Sequence, residues 1–525
     1  MNGKRILGTA ILTALLANPV LSQEINIVRE MDSNNYDPHK STARSASEVL
    51  FMLGDTLVSL EPDMKTITDG LAHSWEMSED GRIYTFHLKE GVKFCNGKNM
   101  TADDVVYSMK RWIDPETKSP VAWRAGEVDD IMAIDPLTVE YHLKEPFSEL
   151  LYQLTQSFGT IVDQANVEAL GPDFGVNGFN GTGPFCWQEW LPRDRLTMTR
   201  HEGYGWGPAF YENKGAAQIE RITWQVVPEE NTRTVALMTG QTDVTQYVAP
   251  IAMEQLRQTP NVELHRSNEA FWTYFMGFKI DKPTVADTVV RRAINLAVNR
   301  DALAEDQMFG EVQPAYSYIS QAALDWDPAL DDTLLRFDPE RAVAMLDEAG
   351  WTPGADGVRE KDGVQLKPLA YILAGSTWQK IAEFVQAELL KVGIAMEIQT
   401  FDATIAWGKL ATQEFDTFGM SYPYISAGDA LNLYFPSGNM PTPNRMNWND
   451  PETDQLLMEG RHATDDKARA AAYGKVLRKV HDAAVWLPLY HEPMTVAQST
   501  RLTPIVPHNI YGCGLYKGLD LKLRE

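Results

Sequence analysis

The feature that most constrains the fold of this chain is a patterned stretch from residue 70 to residue 112. It begins with a polar turn, Ser78 to Gly81, whose glycine can take a positive φ angle without steric cost. Apolar residues then alternate with polar ones, as in a strand that is buried on one face. These residues are Tyr84, Phe86 and Leu88. We therefore predict a β-hairpin at this point of the chain.

A helix is predicted after the hairpin. Thr101 has the position of an N-cap residue, and Asp104 completes a pair of the capping-box kind. The apolar residues that follow recur at helical spacing, at Val105, Val106, Met109 and Trp112. By themselves, the residues of this stretch indicate a small module that combines a helix with strands.

The same stretch resembles the signature of the family 5 extracellular solute-binding proteins. The matching order is W-E-x-S-x-D-G-x-x-Y-T-F-x-L-x-x-G-V-K-F, followed by N-G and by T-A-D-D-V-V-x-S. Members of this family are large receptors that feed peptide, nickel-chelate and some opine or sugar ABC importers. The resemblance covers residues 24–525. Cys95 is a departure, because the family usually has histidine or another polar residue there.

The resemblance implies an α/β fold of the type II, cluster C periplasmic binding proteins. Such a fold has two lobes, an extra subdomain inserted in lobe I and a ligand cleft between the lobes. A chain of 525 residues is also too long for a single hydrophobic core. The expected parts are a signal peptide at 1–22, lobe I at 23–267 with the inserted subdomain at about 56–178, lobe II at 268–490, and a return to lobe I at 491–525.

Strands and helices alternate in the second half of the chain, which supports an α/β lobe. The predicted elements include an aromatic strand at Trp272–Phe278, a strand at Leu366–Leu373, a helix at Thr377–Val392, a strand at Phe415–Ser421 and a buried strand at Trp486–His491. A separate short strand is predicted at Asn261–His265, before the first expected crossover between the lobes.

The N-terminus has the pattern of a signal peptide. Lys4 and Arg5 precede an apolar run of residues 6–17, which is shorter than the roughly 20 residues that a membrane-spanning helix needs. We expect cleavage close to Ser22 or Gln23, although the sequence does not fix the site. Because no cysteine lies near that point, a lipid anchor is not supported. We therefore expect a soluble protein in a Gram-negative periplasm.

The charge balance argues against some classes of partner. Cleavage after residue 22 removes two of the 47 basic residues and none of the 72 acidic ones, which leaves a net charge of −27. Nucleic acids and anionic membrane surfaces are therefore not expected as partners. The acidic balance mildly favours cationic or zwitterionic solutes, but a plain solvated acidic surface is the better explanation of it.

The cysteines and histidines do not suggest a metal site. Three cysteines cannot all pair within the chain, and our expected disulfide is Cys186–Cys513, with Cys95 left over; the sequence leaves other pairings open. The ten histidines occur singly, with no metal-ligand spacing. We expect neither a metal nor another cofactor.

No catalytic signature is present in usable form. We find no G-x-S-x-G motif, no usable S-x-x-K motif and no pairing of cysteine with histidine. Pairs of carboxylates carry no weight, because 72 acidic residues always allow some to be imagined. The sequence therefore argues against an enzyme.

The candidate ligand-binding residues follow from the resemblance. Trp272 and Tyr274 stand at the expected crossover and can form an aromatic wall, although a strand core would explain them as well. Asp429 lies in a segment where peptide receptors of the family carry an aspartate for the ligand α-ammonium; helix capping is the alternative. Tyr422 and Tyr424 are further wall candidates.

Two more sets of residues complete the expected site. Asn34 and Tyr36 belong to a loop that faces the cleft in the family, although it can also be a plain surface turn. Trp378 follows Ala374–Thr377, where dipeptide receptors of the family carry an arginine for the ligand carboxylate. Since that arginine is missing, dipeptides become doubtful, and longer peptides, sugars or sugar–amino-acid conjugates gain support. Trp378 can stack on a pyranose.

These observations predict a periplasmic receptor of an ABC importer that captures a peptide or peptide-like solute by hinge closure. The alternative is a receptor of the same fold for an oligosaccharide or an opine, and an enzyme on this fold is a distant third. The expected partners are ABC permease subunits with a separate ATPase, since the chain has no Walker A motif. We expect a monomer. The sequence names neither the solute nor the cleft loops that contact it.

Overall fold

The computed structural model describes residues 23–246, 248–510 and 514–524. The strands within these residues are β1 (Glu24–Arg29), β2 (Val58–Leu60), β3 (Ile67–Asp69), β4 (Ala72–Met77), β5 (Ile83–Leu88), β6 (Val128–Asp135), β7 (Thr138–Leu143), β8 (Phe185–Leu191), β9 (Arg195–Arg200), β10 (Arg221–Val226), β11 (Val244–Gln246), β12 (Val262–Phe278), β13 (Gln313–Pro314), β14 (Thr352–Pro353), β15 (Arg359–Lys361), β16 (Val364–Gln365), β17 (Leu369–Leu373), β18 (Glu397–Phe401), β19 (Thr417–Pro423) and β20 (Trp486–Ser499).

The α-helices of the same residues lie between these strands. They are α1 (Arg44–Leu53), α2 (Ala102–Ile113), α3 (Leu150–Leu154), α4 (Gln164–Leu170), α5 (Glu230–Met238), α6 (Pro250–Arg257), α7 (Thr288–Ala297), α8 (Arg300–Ala302), α9 (Pro339–Glu348), α10 (Ser376–Leu390), α11 (Ala403–Thr412), α12 (Ala427–Tyr434), α13 (Pro451–Arg461) and α14 (Asp466–Asp482). None of these described helices is long and apolar enough to cross a membrane.

One large sheet runs through both lobes. Its strand order is β18-β17-β19-β12-β20-β11-β1-β10-β9-β8, with β13 paired to β20. The long strands β12 and β20 are antiparallel partners: Val262–Arg266 pairs with Thr495–Ser499 in one lobe, and Trp272–Gly277 pairs with Trp486–Glu492 in the other. Register shifts between Arg266 and Trp272 separate the two halves. The chain thus has the predicted two-lobed α/β fold, with two continuous crossover strands.

The stretch at residues 70–112 folds as predicted. β4, β5, β7 and β6 form an antiparallel sheet of their own, and Tyr84, Phe86 and Leu88 of β5 are buried on one face. A capping box between Thr101 and Asp104 begins α2. This small sheet is separate from the large one, as expected of an inserted subdomain; the predicted domain bounds themselves stay a prediction.

The expected Cys186–Cys513 disulfide is wrong, because Cys186 is bonded to Cys95. Cys95 lies in a loop after β5, and its backbone N–H donates to the Gly181 carbonyl at 2.9 Å, so this loop is held beside the start of β8. Cys186 is the second residue of β8, and the two Cα atoms are 5.7 Å apart. Cys513 lies outside the described residues. The bond therefore ties the loop of the small sheet to the large sheet.

We expect Cys95→Ser to lower the free energy of unfolding by about 2–4 kcal/mol. The bond closes a long loop, since 91 positions separate its two cysteines, and a cross-link of this length restricts the unfolded chain strongly. Urea unfolding of the oxidised protein and of the variant measures the difference. Peptide mapping of the unreduced protein gives an independent check: a linked peptide that contains Cys513 would contradict this pairing.

Candidate functional site

The carboxyl ends of parallel strands from both lobes meet at one cleft. Glu30 follows β1, residues 228–230 follow β10, and residues 373–375 lie at the end of β17. In open parallel sheets, ligands bind outside the carboxyl ends of the strands. These segments line a cavity of about 430 Å³ between the lobes, together with parts of α1, α5, α10, β12 and β20. This cavity is the candidate ligand site.

Aromatic side chains form one wall of the cleft. Tyr274 is at the centre of this wall: its ring centroid lies 6.3 Å from Trp272, 5.3 Å from Trp378 and 4.4 Å from Tyr490. Trp272 and Tyr274 are half-buried, whereas Phe271, Thr273 and Phe275 on the other face of β12 are buried. The alternation along β12 therefore places Trp272 and Tyr274 on the same face, where Tyr274 lines the cavity and Trp272 lies beside it against Tyr274 and Arg44. The structure brings together three of the predicted ligand-binding residues.

A single arginine of α1 lies against this wall. The Arg44 guanidinium carbon is 5.0 Å from the centroid of Trp272, and its Nε is 3.5 Å from the Glu48 carboxylate. Arg44 lines the same cavity as Ala374 and Gly375. An arginine from lobe I is thus present opposite the segment where the sequence lacks the arginine of dipeptide receptors.

Carboxylates are in excess around the same cavity. Glu30, Glu229, Glu230 and Glu492 line it, whereas Arg44 and Arg233 are its lining cations. Burial raises the pKa of Glu492, although a hydrogen bond from Tyr274 and the charge of Arg44 oppose the rise. Burial also raises the pKa of Glu230. A cationic group in the cleft would favour the ionised form of these acids, so the site suits a solute with an ammonium group.

Arg233 has a structural task in the cleft wall. Its guanidinium donates hydrogen bonds of 2.7 Å and 2.8 Å to the carbonyls of Val227 and Pro228, in the loop that follows β10. This loop carries Glu229 and Glu230 into the cavity. The arginine therefore fixes the position of two of the acidic residues of the cleft.

Asp429 lies away from this cavity, at a contact between the lobes. It is fully buried in the first turn of α12, and its carboxylate is bound by Arg124, which lies in a 3₁₀ turn at Ala122–Ala125. Tyr422 joins the pair: its hydroxyl accepts from Arg124 at 2.9 Å and donates to Asp429 at 3.2 Å. The structure thus gives Asp429 a partner in the protein itself, and its role as an ammonium anchor stays a prediction.

The other predicted residues do not line the cavity. Tyr36 is buried in lobe I, where its hydroxyl donates to Asp32 at 2.8 Å and its ring packs edge-on against Trp187 and Trp190. Asn34 is exposed on the preceding loop. Tyr424 is buried, and its hydroxyl accepts from Thr273 at 3.2 Å. Ligand contact by any of them stays a prediction.

The contact around Asp429 contains further buried charges. Glu149 accepts a hydrogen bond of 2.6 Å from the Ser426 hydroxyl, and Arg469 pairs with Asp325 at 2.8 Å. Burial raises the pKa of Glu149 to about 7, and the negative charges of Asp429 and Asp325 add to the rise. We name this set the interlobe charge cluster: Arg124, Glu149, Asp325, Asp429 and Arg469. It joins the segments around Ala122–Ala125 and α3 to lobe II.

The described residues offer one group of three potential metal ligands, at Cys95, Cys186 and His201. The two sulfurs are bonded to each other, and His201 Nδ1 lies 3.0 Å from the Gly183 carbonyl. A disulfide has no thiolate to offer a metal, so this group does not form a metal centre.

Burial lowers the pKa of His491, next to the cleft, to about 3, which leaves its ring neutral at pH 7.

The sequence missed the charged residues of the cleft. Arg44, Glu30, Glu230 and Glu492 are spread over the chain and lie in no recognisable motif. A usable signal existed for some of them: Glu30 and Glu230 come soon after β1 and β10, where the carboxyl ends of parallel strands meet. Glu492 gave no such signal, because it lies within the antiparallel strand β20 and not at the carboxyl end of a parallel strand.

Residues 66–442, well over half of the chain, match the family model described as "Bacterial extracellular solute-binding proteins, family 5 Middle". Among curated proteins, the glutathione-binding protein GsiB of Shigella dysenteriae serotype 1 is 27% identical over 518 residues, which covers 95% of each chain.

Solved structures share the fold over nearly the whole chain. NikA from Brucella suis, in complex with Fe(III)-EDTA, has a TM-score of 0.83 at 25% identity and covers 95% of this chain and 100% of its own. DppA from Helicobacter pylori, in complex with the peptide STSA, has a TM-score of 0.80 at 22% identity and covers 96% and 98%. The two-lobed architecture is therefore common to receptors of chemically different solutes.

Proposed function

Since this chain belongs to the family 5 bacterial extracellular solute-binding proteins, we propose that it is the periplasmic receptor of an ABC importer and that it binds a peptide or a peptide-like solute. The family consists of transport receptors and not of enzymes. A curated relative is named for glutathione and a structural neighbour was solved with a peptide, so peptide-like solutes occur among similar proteins.

The observation that carries this proposal is the composition of the cleft. An aromatic wall provides apolar contact, Arg44 provides a cation for a carboxylate, and the four glutamates of the cavity provide partners for an ammonium group. Solute sites are mostly apolar clefts with a few placed polar groups, and a zwitterion needs groups of both signs. A zwitterionic solute would use groups of both signs, whereas a neutral solute would use neither.

Closure of the lobes would bury the solute among these groups. Charges interact more strongly when water is excluded, so a closed cleft would discriminate between solutes with matching and non-matching charges. The interlobe charge cluster would form at the same time, on the α12 side of the interface. The closed receptor would then present one continuous surface to the membrane permease.

The proposal also covers export of the chain, its oligomeric state and its delivery of the solute. Residues 1–22 would act as a signal peptide, and the mature chain would act as a monomer in the periplasm. It would deliver its solute to permease subunits that are driven by a separate ATPase.

A second candidate is a receptor for an opine or an oligosaccharide. The aromatic wall of Trp272, Tyr274 and Trp378 favours it, because planar rings stack on the apolar face of a sugar. Among the structural neighbours, AgaA was solved with agropinic acid at 22% identity. An opine would also use the charged groups of the cleft, whereas a neutral oligosaccharide would not.

Native mass spectrometry of the protein purified from its own periplasm tests the proposal first. The bound mass is released and fragmented. An amino-acid ladder supports the peptide proposal, whereas a hexose-spaced or sugar-amine mass supports the second candidate. If the protein is empty, thermal-shift screening of peptides, opines and oligosaccharides follows, because a tight ligand raises the apparent stability by mass action.

Arg44→Gln tests the proposed carboxylate partner. We expect the variant to bind a tripeptide with a free carboxylate about 10- to 100-fold more weakly, since a hydrogen bond to a charged group is worth about 1.5–3 kcal/mol. Binding of the C-amidated tripeptide should change little. Isothermal titration calorimetry measures both affinities, and Arg341→Gln, at an exposed site on α9, is the matched control. An equal loss for both peptides would contradict the assignment.

A further inference from the structure

A second cavity lies in lobe II, beside the charged cleft. Its volume is about 150 Å³, and most of its lining is apolar. The lining comes from the ends of three neighbouring parallel strands and from the two helices packed on them. Six of its residues are Tyr371, Leu373, Trp378, Phe401, Ala406 and Leu410.

This apolar cavity adjoins the charged cleft. Leu373 and Trp378 line both spaces. Leu373 ends β17, and Trp378 lies in the first turn of α10, so the boundary between the two spaces falls at the carboxyl edge of the sheet. A solute bound in the charged cleft would need to extend only one group past the Trp378 ring to reach an apolar environment.

Gly419, which lies opposite the Trp378 indole, leaves room for the ring at the boundary between the two cavities. Gly419 of β19 lies under the Trp378 ring, and a Cβ atom at this glycine would be 2.8 Å from Trp378 Cζ3 and 3.0 Å from Ile372 Cδ1. Real Cβ atoms do not come as close to another atom as 2.8 Å. A larger residue at position 419 would therefore displace the indole. Tyr371 and Phe401 pack edge to face at 4.7 Å on another side of the cavity.

We propose that this lobe II cavity binds one apolar side chain of the solute, of leucine or phenylalanine size. The inference rests on the proposed function, since it assumes a solute with side chains in the adjoining charged cleft. The volume of the cavity sets the size of this side chain, because an apolar cavity of about 150 Å³ accommodates a group as large as benzene. The helices α10 and α11 form two walls of the cavity and thereby limit the size of the side chain that it can hold.

A tripeptide series tests this inference. The parent probe is Ala-Ala-Ala, and each alanine in turn is replaced by leucine, phenylalanine or asparagine. Asparagine is close to leucine in shape but polar. At one of the three positions, leucine or phenylalanine should bind at least about tenfold more tightly than alanine or asparagine, as expected for apolar groups in a matching pocket. Isothermal titration calorimetry on the full mature chain provides the dissociation constants.

Two variants of α11 connect the preference to this cavity. Ala406→Phe should fill the pocket and abolish the apolar preference. Leu410→Ala should enlarge the pocket and shift the preference from leucine towards phenylalanine. Ala411→Phe, at an exposed position of the same helix, is the matched control and should retain the wild-type preference.

The possible outcomes separate this inference from the proposed function. If tripeptides bind but show no apolar preference at any position, the subsite is refuted and the peptide receptor stands. If the preference persists in both Ala406→Phe and Leu410→Ala, the side chain binds elsewhere. If no tripeptide of the series binds, the subsite inference fails, and native mass spectrometry of the bound solute decides the proposed function on its own.

Discussion

Arg124→Met is expected to weaken solute binding by about a hundredfold or more. The side chains of Arg124 and Asp429 are 2% and 0% exposed, and their contact joins segments that belong to different lobes. Removal of one partner of a buried ion pair costs about 3–5 kcal/mol, because the other charge stays buried without compensation. If both charges regain water in the open form, the whole cost falls on the closed, solute-binding form. Isothermal titration calorimetry with the solute found by native mass spectrometry measures the loss.

The sign of this effect separates two roles for Asp429. If Asp429 instead holds the ammonium group of the solute, Arg124 competes with the solute, and Arg124→Met should raise the affinity. Asp429→Asn lowers the affinity in either case and therefore does not discriminate. For the interlobe role, the double variant Arg124→Met/Asp429→Asn should bind more tightly than either single variant, since no charge is left unpaired.

An exposed ion pair provides the control for this experiment. Arg478 pairs with Asp327 within lobe II, and its side chain is 45% exposed. Exposed pairs of this kind contribute about 0–1 kcal/mol, so Arg478→Met should change the affinity less than about fivefold. A hundredfold loss in this variant as well would point to a general defect in folding and would contradict a specific role for Arg124.

The parts of the fold that depend on local patterns were predictable. The capping box at Thr101 and Asp104 and the buried face of β5 depend on residues that are near in sequence. The predicted helix at Thr377–Val392 corresponds to α10, and the predicted strand at Phe415–Ser421 corresponds to β19 with a shift of two residues. Periodicity and caps determine such elements, because the physical interactions act within a few residues.

The crossover strands were predicted only in pieces. The sequence indicates short strands at Asn261–His265 and Trp272–Phe278, whereas the structure has one strand, β12, over both. Residues 266–269 between them are all polar and lie where the register shifts, so no apolar alternation indicates a strand there. Pairing with β20 along nearly its whole length keeps this part extended, and such pairing is a tertiary effect.

The disulfide and the charged residues of the cleft required tertiary information. Cys95 and Cys186 meet because the loop after β5 packs on the turn before β8, and neither sequence position predicts that contact. Arg124 and Asp429 are 305 positions apart, so no local pattern predicts that they meet. The strand that carries Trp272 and Tyr274 was predictable from its own residues, although the sequence left the strand core open as an alternative to the cleft for these side chains.

The pH dependence of closure is the second large effect that we expect. The interlobe charge cluster contains three acids and two arginines, so it is neutral only when one acid is protonated. Arg124 pairs with Asp429 and Arg469 pairs with Asp325, whereas Glu149 has a hydroxyl, that of Ser426, as its hydrogen-bond partner. Glu149 is therefore the acid that takes up the proton, which agrees with the rise of its pKa to about 7.

The sign of the effect follows from this raised pKa. Below the ordinary glutamate pKa, Glu149 is protonated whether the lobes are closed or apart, and the closed form gains or loses nothing. Between that pKa and about 7, an exposed Glu149 ionises while the buried one stays protonated, so the closed form becomes progressively less favourable. The full difference is on the order of 3 kcal/mol. Solute affinity should therefore fall as the pH rises through this range.

Glu149→Gln should remove this part of the pH dependence. An amide has nearly the shape of the carboxyl group but does not ionise, so the variant should bind at pH 8 roughly as tightly as at pH 5, whereas the wild-type dissociation constant rises by about 10- to 100-fold. Glu145→Gln, at an exposed position just before α3, should keep the wild-type profile. If Glu149→Gln and the wild type have parallel pH profiles, the proton is taken up elsewhere. The cluster would then stabilise the closed form equally at every pH, through its two ion pairs alone.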